Sequence, residues 1–371
     1  MSRCISVLSE SSNALTAVDE VCSKIDEEID TPIAIIFYAN ADIFVDCAHL
    51  IHEKFPGIDT IGSTTYINII NNAHARVGLS AMAFFSGVEF SCGVLEEVDR
   101  YPMKYVKSVT YALSKLKSTE NTCCLEFTCA FKNGEELVMD TLSRGLEGTG
   151  IEIFGGSSGC EFDYKDSRVA LNGRVYDNST VFALIHNLNG KIFIYKENIY
   201  KPTSTVLTAT NVNCEERRVY TFDDRPAVDV MKEVLKCSDE ELSERLLVSP
   251  VGRFSKDNIF ITDAKQVNDD GSITYLATIY NTSKLAVLEQ DDIKSVWKET
   301  KENCHKAIKK PSFTIAVNCG GRSYTFENMG IMDDFVHILS KGYGTFATLS
   351  GFGEQLNGTH FNQSLVLAAF E

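Results

Sequence analysis

A short pattern occurs twice in the sequence, and this repetition restricts the possible folds more than any other feature. Residues 171–183 match residues 356–368 without a gap, with Leu, Asn, Gly, Ser, Val and Ala at the same places. In each copy the Asn-Gly pair predicts a turn, and the apolar residues after it predict a buried strand. The chain is therefore predicted to contain one structural unit more than once.

The segments before the two copies also correspond. Each has an apolar run, a stretch with helical spacing and a second apolar run, and each ends in a glycine turn, at 155–159 or at 351–354. A fainter third copy occupies residues 33–85. The short apolar runs are typical of strands buried on both faces. Strands are predicted at 33–38, 59–61, 77–85, 123–129, 151–154, 313–318 and 345–349, and helices at 42–55, 135–146 and 329–340.

Different material separates the second unit from the third. We predict an α/β fold of mixed α+β character: three related strand–helix–strand–turn–strand units in two packed lobes with an inserted α+β segment. The predicted divisions are an amino-terminal extension at 1–30, a first lobe with two units at 31–222, and a second lobe at 223–371 with a hairpin, a long helix and the third unit. The intervening elements are strands at 191–200 and 217–222, a helix at 226–236, hairpin arms at 259–265 and 273–280, and a helix at 292–308.

The charge of the chain excludes some classes of partner. Its 371 residues carry a formal net charge of −16, whereas nucleic acids and anionic membranes are bound by clustered Lys and Arg. No apolar run approaches the roughly 18 residues that suggest a membrane span, and no signal peptide is visible. The 12 cysteines form no C-x-x-C pair, and several lie in apolar runs where Cys packs as a small hydrophobic residue. These features predict a cytoplasmic protein with reduced cysteines that binds neither nucleic acid nor membrane.

Several short motifs occur in a fixed order from about residue 31 to residue 370. Residues 154–159 read Phe-Gly-Gly-Ser-Ser-Gly and are followed by Leu-Asn-Gly at 171–173. Together with the segments named below, they resemble the FIST N and FIST C domains of the FIST family. Cys160 stands where the family usually has an acid, and His360 stands one place earlier than the family histidine. The other matching segments are Asp-Arg-Pro-Ala at 224–227, Cys-Gly-Gly-Arg at 319–322, Gly-Phe-Gly-Glu at 351–354 and Phe-Asn-Gln-Ser at 361–364.

The resemblance implies a sensory module of signal transduction that binds small molecules, amino acids among them. Family members usually act with histidine kinases, chemoreceptors or cyclic-dinucleotide enzymes. Because the chain ends at Glu371, directly after the last predicted strand, we expect a stand-alone cytosolic module that acts through a separate partner. We expect ligand binding without enzymatic activity. The alternatives are a protein-interaction scaffold without a ligand and a Cys-dependent enzyme.

The glycine-rich segment of the second unit is the first candidate ligand site. Gly155 and Gly156 would let a ligand approach the backbone, and Ser157 and Ser158 would offer hydroxyl groups. In α/β sheets ligands usually bind at the carboxyl ends of strands, where backbone N–H groups converge. The structural alternative is a tight turn whose glycines adopt positive φ angles. The sequence leaves both interpretations open.

Arg322 and Glu354 form the second candidate site and follow corresponding strands of the third unit. A guanidinium holds a carboxylate with two hydrogen bonds, and a carboxylate holds an amine. The pair therefore suits an amino acid or a similar zwitterion, with Asn362 offering an amide to the same pocket. The alternative is a structural salt bridge between the two side chains, with Asn362 bonding a strand end.

Cys319 directly follows a predicted strand, in a position where a nucleophile can lie. A catalytic thiol would need Arg322 to lower its pKa and His337 or His360 as a base. The alternative, which we favour, is a buried or half-buried structural cysteine, and Cys319 is also included among the predicted ligand-binding residues. The helical histidines at 49 and 52 lack further ligands, so no metal site is predicted. Some family members are thought to bind haem, but no residue is singled out as its ligand and no cofactor is predicted.

Overall fold

The computed structural model describes residues 2–162, 164–255 and 258–371. Helices and strands alternate along these residues, which confirms the predicted mixed α/β class. Contacts divide the chain into two compact units. The larger unit comprises Met1–Lys196, Trp297–Thr359 and Leu365–Glu371, and the smaller unit comprises Glu197–Val296 and His360–Ser364.

The first part of the larger unit has the predicted order of strand, helix and strand, preceded by a further strand and helix within residues 1–30. Apolar residues at helical spacing, Phe44, Cys47 and Ile51, bury one face of the second helix in the core. The elements are β1 (Arg3–Ser9), α1 (Ala14–Asp26), β2 (Ala34–Ala39), α2 (Ala41–Lys54), β3 (Asp59–Thr64), β4 (Asn68–Ile70), β5 (Ala73–Ala75), β6 (Leu79–Ser86) and β7 (Val88–Glu96).

The second part of the larger unit repeats this order. Val138, Met139 and Leu142 bury one face of its main helix against the sheet. After a 3₁₀ helix at Pro102–Tyr105, the elements are α3 (Val106–Ser114), β8 (Thr122–Thr128), α4 (Glu135–Gly145), β9 (Glu152–Ser157), β10 (Val169–Leu171), β11 (Arg174–Tyr176), β12 (Ser179–Asn187) and β13 (Ile192–Asn198).

Among its described residues, the smaller unit contains a sheet of eight strands and two helices that share its apolar core. Its predicted hairpin is present in part: Ala264–Val267 pairs antiparallel with Ile273–Tyr275 across the turn at 268–272, whereas Asn258–Thr262, which covers most of the predicted first arm, pairs with Val251–Ser255. The elements are β14 (Tyr200–Asn213), β15 (Arg218–Phe222), β16 (Arg225–Pro226), α5 (Ala227–Leu235), α6 (Asp239–Val248), β17 (Val251–Ser255), β18 (Asn258–Thr262), β19 (Ala264–Val267), β20 (Ile273–Tyr275) and β21 (Lys284–Gln290). The strand order is β18-β17-β21-β14-β15-β20-β19, with β16 beside β15.

The third repeat contains two helices, Gly320–Asn328 and Met332–Gly342, whereas the sequence predicts only one, at 329–340. Both are held by an aromatic core in which the ring of Trp297 lies 5.2 Å from that of Phe326 and 5.4 Å from that of Phe335. Packing therefore overrides the low helix propensity of the two glycines that open the first of these helices. The elements are α7 (Ile293–Ala307), β22 (Phe313–Cys319), α8 (Gly320–Asn328), α9 (Met332–Gly342), β23 (Thr345–Gly351), β24 (Glu354–Leu356), β25 (Thr359–Phe361) and β26 (Ser364–Phe370).

Three six-stranded sheets share one strand order, which confirms the predicted threefold repetition. We call them sheet 1 (β1-β6-β2-β3-β10-β11), sheet 2 (β7-β12-β8-β9-β24-β25) and sheet 3 (β13-β26-β22-β23-β4-β5). The first repeat is β2 to β6, the second β8 to β12 and the third β22 to β26. In each sheet the third and fourth strands are parallel, and the returning strand beside them is antiparallel.

The last two strands of every sheet come from a different repeat. The β10–β11 hairpin joins sheet 1, the β24–β25 hairpin joins sheet 2 and the β4–β5 hairpin joins sheet 3. This exchange ties the three repeats into a closed ring. At the three turns, Asn172, Asn357 and Asn71 accept hydrogen bonds from the backbone N–H groups of Thr60, Ile153 and Phe346 at 2.8, 2.9 and 2.8 Å.

Candidate functional site

Gly155, Gly156 and Ser157 lie inside β9, so the glycine turn predicted at these positions is wrong. A Cβ on Gly155 would lie 2.1 Å from the Glu126 carbonyl oxygen, and one on Gly156 would lie 2.4 Å from a Val317 methyl carbon. Neither glycine has a positive φ angle. Both are glycine because neighbouring elements pack too closely for a side chain.

Three backbone hydrogen bonds join the strand ends of the three repeats. Each repeat donates one bond to the next and accepts one, so the bonds form a closed ring. The carboxyl ends of the parallel strands therefore meet at one place, which is where α/β sheets usually bind ligands. The N–H groups of Gly159, Tyr66 and Phe352 donate to the carbonyl oxygens of Thr64, Ser350 and Ser157 at 2.8, 2.9 and 3.1 Å.

The hydroxyl groups of Ser157 and Ser158 are buried and form hydrogen bonds within the larger unit. Ser157 donates to the Glu135 carboxylate at 3.3 Å and accepts from the Gln355 amide at 3.0 Å. Ser158 donates to the Thr128 carbonyl oxygen at 3.2 Å. Part of the bonding capacity of both hydroxyls is therefore used inside the protein.

Arg322 lies in the first turn of α8, which begins directly after β22. Its side chain is fully buried, and its guanidinium carbon lies 5.3 Å from the centroid of the Phe326 ring, within cation–π distance. Cys319 occupies the N-cap position of the same helix and is also buried. Helix α8, which the sequence analysis missed, therefore positions both residues at the end of sheet 3.

Glu354 is the first residue of β24 and is fully buried, like Arg322 in the same unit. The charges of both side chains influence the pKa of Lys196 on β13. Burial lowers the pKa of this ammonium to about 8, while Glu354 raises the pKa and Arg322 lowers it. A guanidinium, an ammonium and a carboxylate therefore share one neighbourhood. Lys196 was not predicted, although a lysine after the apolar run 192–195 was an available signal.

A second buried acid, Glu126, lies in the middle of sheet 2 and was also not predicted. Its Oε2 accepts a hydrogen bond from the Thr128 hydroxyl at 2.5 Å, and its Oε1 has no hydrogen-bond partner among the described residues. Burial raises the pKa of Glu126 to about 8; the Thr128 bond lowers the pKa and nearby Glu135 raises it. An acid inside the apolar run 122–128 was the signal for this site.

Asn362 belongs to the smaller unit, whereas Arg322 and Glu354 belong to the larger one. Its side-chain oxygen accepts a hydrogen bond from the backbone N–H of Asp263 at 3.2 Å. The Gln363 amide donates to the Asp263 carboxylate at 2.9 Å. Burial raises the pKa of Asp263 to about 7, against the lowering effect of the Gln363 bond.

The cysteines and the other possible metal ligands bear on the alternatives of a Cys-dependent enzyme and a metal site. No disulfide joins any two cysteines in the described part of the chain, and Cys319 is buried whereas His337 is exposed on α9. Within residues 2–162, 164–255 and 258–371, no group of three or more His, Cys, Asp or Glu side chains is placed to hold a metal ion. In the same part of the chain, no helix combines the length and apolar character needed to cross a membrane.

The architecture defines a class: an α/β module of three hairpin-exchanging repeats with an inserted α+β unit. Family models define it further. The FIST N domain matches residues 33–225 and the FIST C domain matches residues 227–357. The chain therefore belongs to the FIST family, whose domains are sensory domains of signal transduction. The resemblance inferred from the motifs is confirmed.

Other comparisons add little. Among curated proteins, none matches the sequence. The solved structures similar to this chain include a cyanuric acid hydrolase, described as an evolutionary innovation by structural concatenation. It is 8% identical, with a TM-score of 0.31, and the match covers 78% of this chain and 99% of that chain. A likeness of this size supports no conclusion about function.

Proposed function

We propose that this chain is a sensory module that binds a small zwitterion, an amino acid or a similar molecule, and signals through a separate protein. The observation that carries the proposal is the shared neighbourhood of Arg322, Glu354 and Lys196 in the larger unit. Membership of the FIST family supports the sensory role. The three side chains define the chemistry of the ligand.

The two cations favour a carboxylate. Desolvating an ion costs several kcal/mol in a protein, so buried charges are kept where opposite charges compensate them. The flat guanidinium of Arg322 fits a carboxylate with two parallel hydrogen bonds, and Lys196 adds a second positive charge. A ligand carboxylate would interact favourably with both cations.

Glu354 favours an amine on the same ligand. A buried carboxylate forms its strongest hydrogen bonds with ammonium or guanidinium groups. The ligand would thus place its carboxylate at Arg322 and Lys196 and its ammonium at Glu354. Five other predicted residues lie in or directly after β9 or at the end of β22, are buried, and would shape the site: Gly155, Gly156, Ser157, Ser158 and Cys319.

We propose binding without turnover, in the cytoplasm. A catalytic thiol needs a base and an electropositive, partly exposed setting. Cys319 is buried, and His337 is exposed on α9. The proposed partner is a histidine kinase, a chemoreceptor or a cyclic-dinucleotide enzyme, the classes that the family resemblance implies.

Calorimetry and thermal unfolding with glycine, acetate and methylamine test the proposal, because the last two are the halves of the first. We expect glycine to raise Tm more than either half, by mass action. Arg322→Lys keeps the positive charge but removes the planar guanidinium that can form two parallel hydrogen bonds. It should weaken the binding of glycine and of acetate at least about 30-fold. Glu354→Gln should make the affinity for glycine similar to the affinity for acetate, because the partner of the ligand's ammonium group is lost. Acetate binding should weaken as pH rises above about 8 and Lys196 loses its proton.

Arg100→Ala is the matched control, because this arginine is exposed and lies outside the site. It should bind glycine as the unsubstituted protein does. Circular dichroism checks that each variant is folded. If a folded protein binds no amino acid and no small carboxylate, the ligand proposal is wrong. A complex with a signalling protein that forms equally well with Glu354→Gln would then favour the scaffold alternative.

A further inference from the structure

Three polar side chains of the smaller unit, Asp263, Asn362 and Gln363, are at least nine-tenths buried, with 4%, 0% and 1% of their surface exposed. Asn362 and Gln363 belong to the segment His360–Ser364, which this unit takes from the carboxyl-terminal part of the chain. The Asn362 backbone N–H donates to the Ile261 carbonyl oxygen at 2.8 Å. This bond fixes the segment beside β18 and β19.

Two side-chain hydrogen bonds hold the three residues together. The Asn362 oxygen accepts from the Asp263 backbone N–H at 3.2 Å, and the Gln363 nitrogen donates to Asp263 Oδ2 at 2.9 Å. Each bond uses one end of a side chain. Three buried atoms remain without a hydrogen-bond partner among the described residues: Asp263 Oδ1, Asn362 Nδ2 and Gln363 Oε1.

These remaining atoms form a chemically specific set. A buried polar atom without a hydrogen bond costs about 1–3 kcal/mol, so three such atoms on adjoining side chains require an explanation. Two of the atoms accept hydrogen bonds, one of them on a carboxyl group, and the third is an amide donor. A group that donates N–H bonds in the plane of a carboxylate would satisfy both acceptors.

We propose that Asp263, Asn362 and Gln363 form a binding site for a cationic nitrogen group, an amidinium or ammonium, on a small ligand. The carboxyl group of Asp263 excludes an anionic group, because two negative charges would meet in a buried place. Burial raises the pKa of Asp263 to about 7, so a cation beside it would restore its ionised form at little cost. This inference is independent of the zwitterion site proposed for the larger unit.

Three small probes of one shape test the charge requirement: acetamidinium, acetamide and acetate carry charges of about +1, 0 and −1 at neutral pH. The readout is the side-chain amide NMR signals of Asn362 and Gln363 in the full chain labelled with ¹⁵N at Asn and Gln. Asn362→Asp and Gln363→Glu assign these signals. A four-atom probe binds at best on the order of 1 mM, so saturation needs tens of millimolar.

Acetamidinium should move both signals saturably, acetamide more weakly and acetate not at all. Asp263→Asn keeps the shape of the side chain and should weaken acetamidinium binding at least about tenfold. The matched control Asp269→Asn, at an exposed position in the same unit, should leave this binding unchanged. Signals that do not move with acetamidinium overturn the proposal. So does equal binding of acetamide and acetamidinium, or equal binding by the protein with Asp263→Asn.

Discussion

Sheets 2 and 3 have the same strand order but place different residues at matching positions. In sheet 2, Glu126 of β8 lies opposite Gly155 of β9. In sheet 3, Ala316 of β22 lies opposite Thr348 of β23. A large side chain beside a glycine in one sheet thus corresponds to two small side chains in the other, which conserves volume approximately.

The first repeat shows which feature of this pair the fold requires. There Phe37 lies opposite Gly62, and a Cβ on Gly62 would lie 2.2 Å from the Phe37 ring. Two of the three sheets therefore have no charged group at this position, so the fold does not require a carboxyl group there. Glu126 is the exception, and its buried carboxyl lowers stability where an apolar side chain would not.

The largest expected effect concerns Gly155, compared with its counterpart Thr348. Gly155→Ala would place a Cβ 2.1 Å from the Glu126 carbonyl oxygen, a backbone atom that cannot rotate away. We expect a loss of more than about 3 kcal/mol in the free energy of unfolding, or no folding. Thr348→Ala removes a hydroxyl that has no partner among the described residues, and should change it by less than about 1 kcal/mol. Urea denaturation measures both.

A double substitution makes this comparison stricter. Adding Glu126→Ala should not rescue Gly155→Ala, because the closest clash is with the backbone. In the first repeat, by contrast, Gly62→Ala meets only ring atoms of Phe37 at its closest approach, so Phe37→Leu should recover part of the loss. Equal stability of Gly155→Ala and Thr348→Ala would show that the sheets do not restrict this pair as we argue.

The repeat pattern was visible in the sequence because it depends on local spacing. The parallel strand pairs and the Asn-Gly turns at 172–173 and 357–358 follow from apolar runs and turn residues that lie close together in the chain. The hairpin exchange could not be predicted, because Asn357 bonds Ile153 across about 200 residues and nothing local encodes that partner. The corresponding turn of the first repeat, at 71–72, reads Asn-Asn and therefore lacks the Asn-Gly signal that predicts the other two turns.

The candidate site was predictable only in part. Arg322 and Glu354 were recognised by family motifs, and the structure places both in one unit. Lys196 comes from the strand β13, outside the repeats, so only the folded chain shows its relation to the pair. The glycines at 155 and 156 predict a turn but lie in a strand, because glycine occurs both where the backbone turns and where elements pack closely, and sequence spacing does not distinguish these two uses.

The second effect is a pH dependence that sheet 2 should have and sheet 3 should lack at the matching position. The pKa of Glu126 is about 8 in the folded protein, above its ordinary 4.5. Below pH 4.5 both states are protonated. Between 4.5 and 8 the unfolded chain releases this proton and the folded chain keeps it, so stability falls with rising pH. Above about 8 the contribution is constant.

Glu126→Gln should therefore gain stability relative to the unsubstituted protein by about 1.4 kcal/mol per pH unit between about pH 5 and pH 8. Urea denaturation at several pH values measures the difference. Glu126→Leu should show the same slope, since the slope reports the carboxyl and not its hydrogen bond with Thr128. A difference that does not vary with pH would mean that Glu126 ionises alike in both states.

The smallest effect compares the two asparagines that attach hairpins to these sheets. Asn71, on sheet 3, accepts from Phe346 at 2.8 Å and donates to the Gly344 carbonyl oxygen at 2.9 Å, and it is half-buried. Asn357, on sheet 2, accepts from Ile153 at 2.9 Å and donates to the Glu152 carboxylate at 3.1 Å, but it is exposed. We expect Asn71→Ala to cost about 2 kcal/mol and Asn357→Ala about 1 kcal/mol, because water replaces lost bonds better at an exposed site.

Denaturation of the two variants and of Asn71→Ala with Asn357→Ala together measures how independently the hairpins hold the ring. Losses that add indicate that each hairpin stabilises its own sheet. A double loss smaller than the sum indicates that opening one hairpin already weakens the ring that the other closes. That second result would mean that the three repeats form one cooperative structure, so that a ligand at the strand ends of sheet 3 would also stabilise sheet 2.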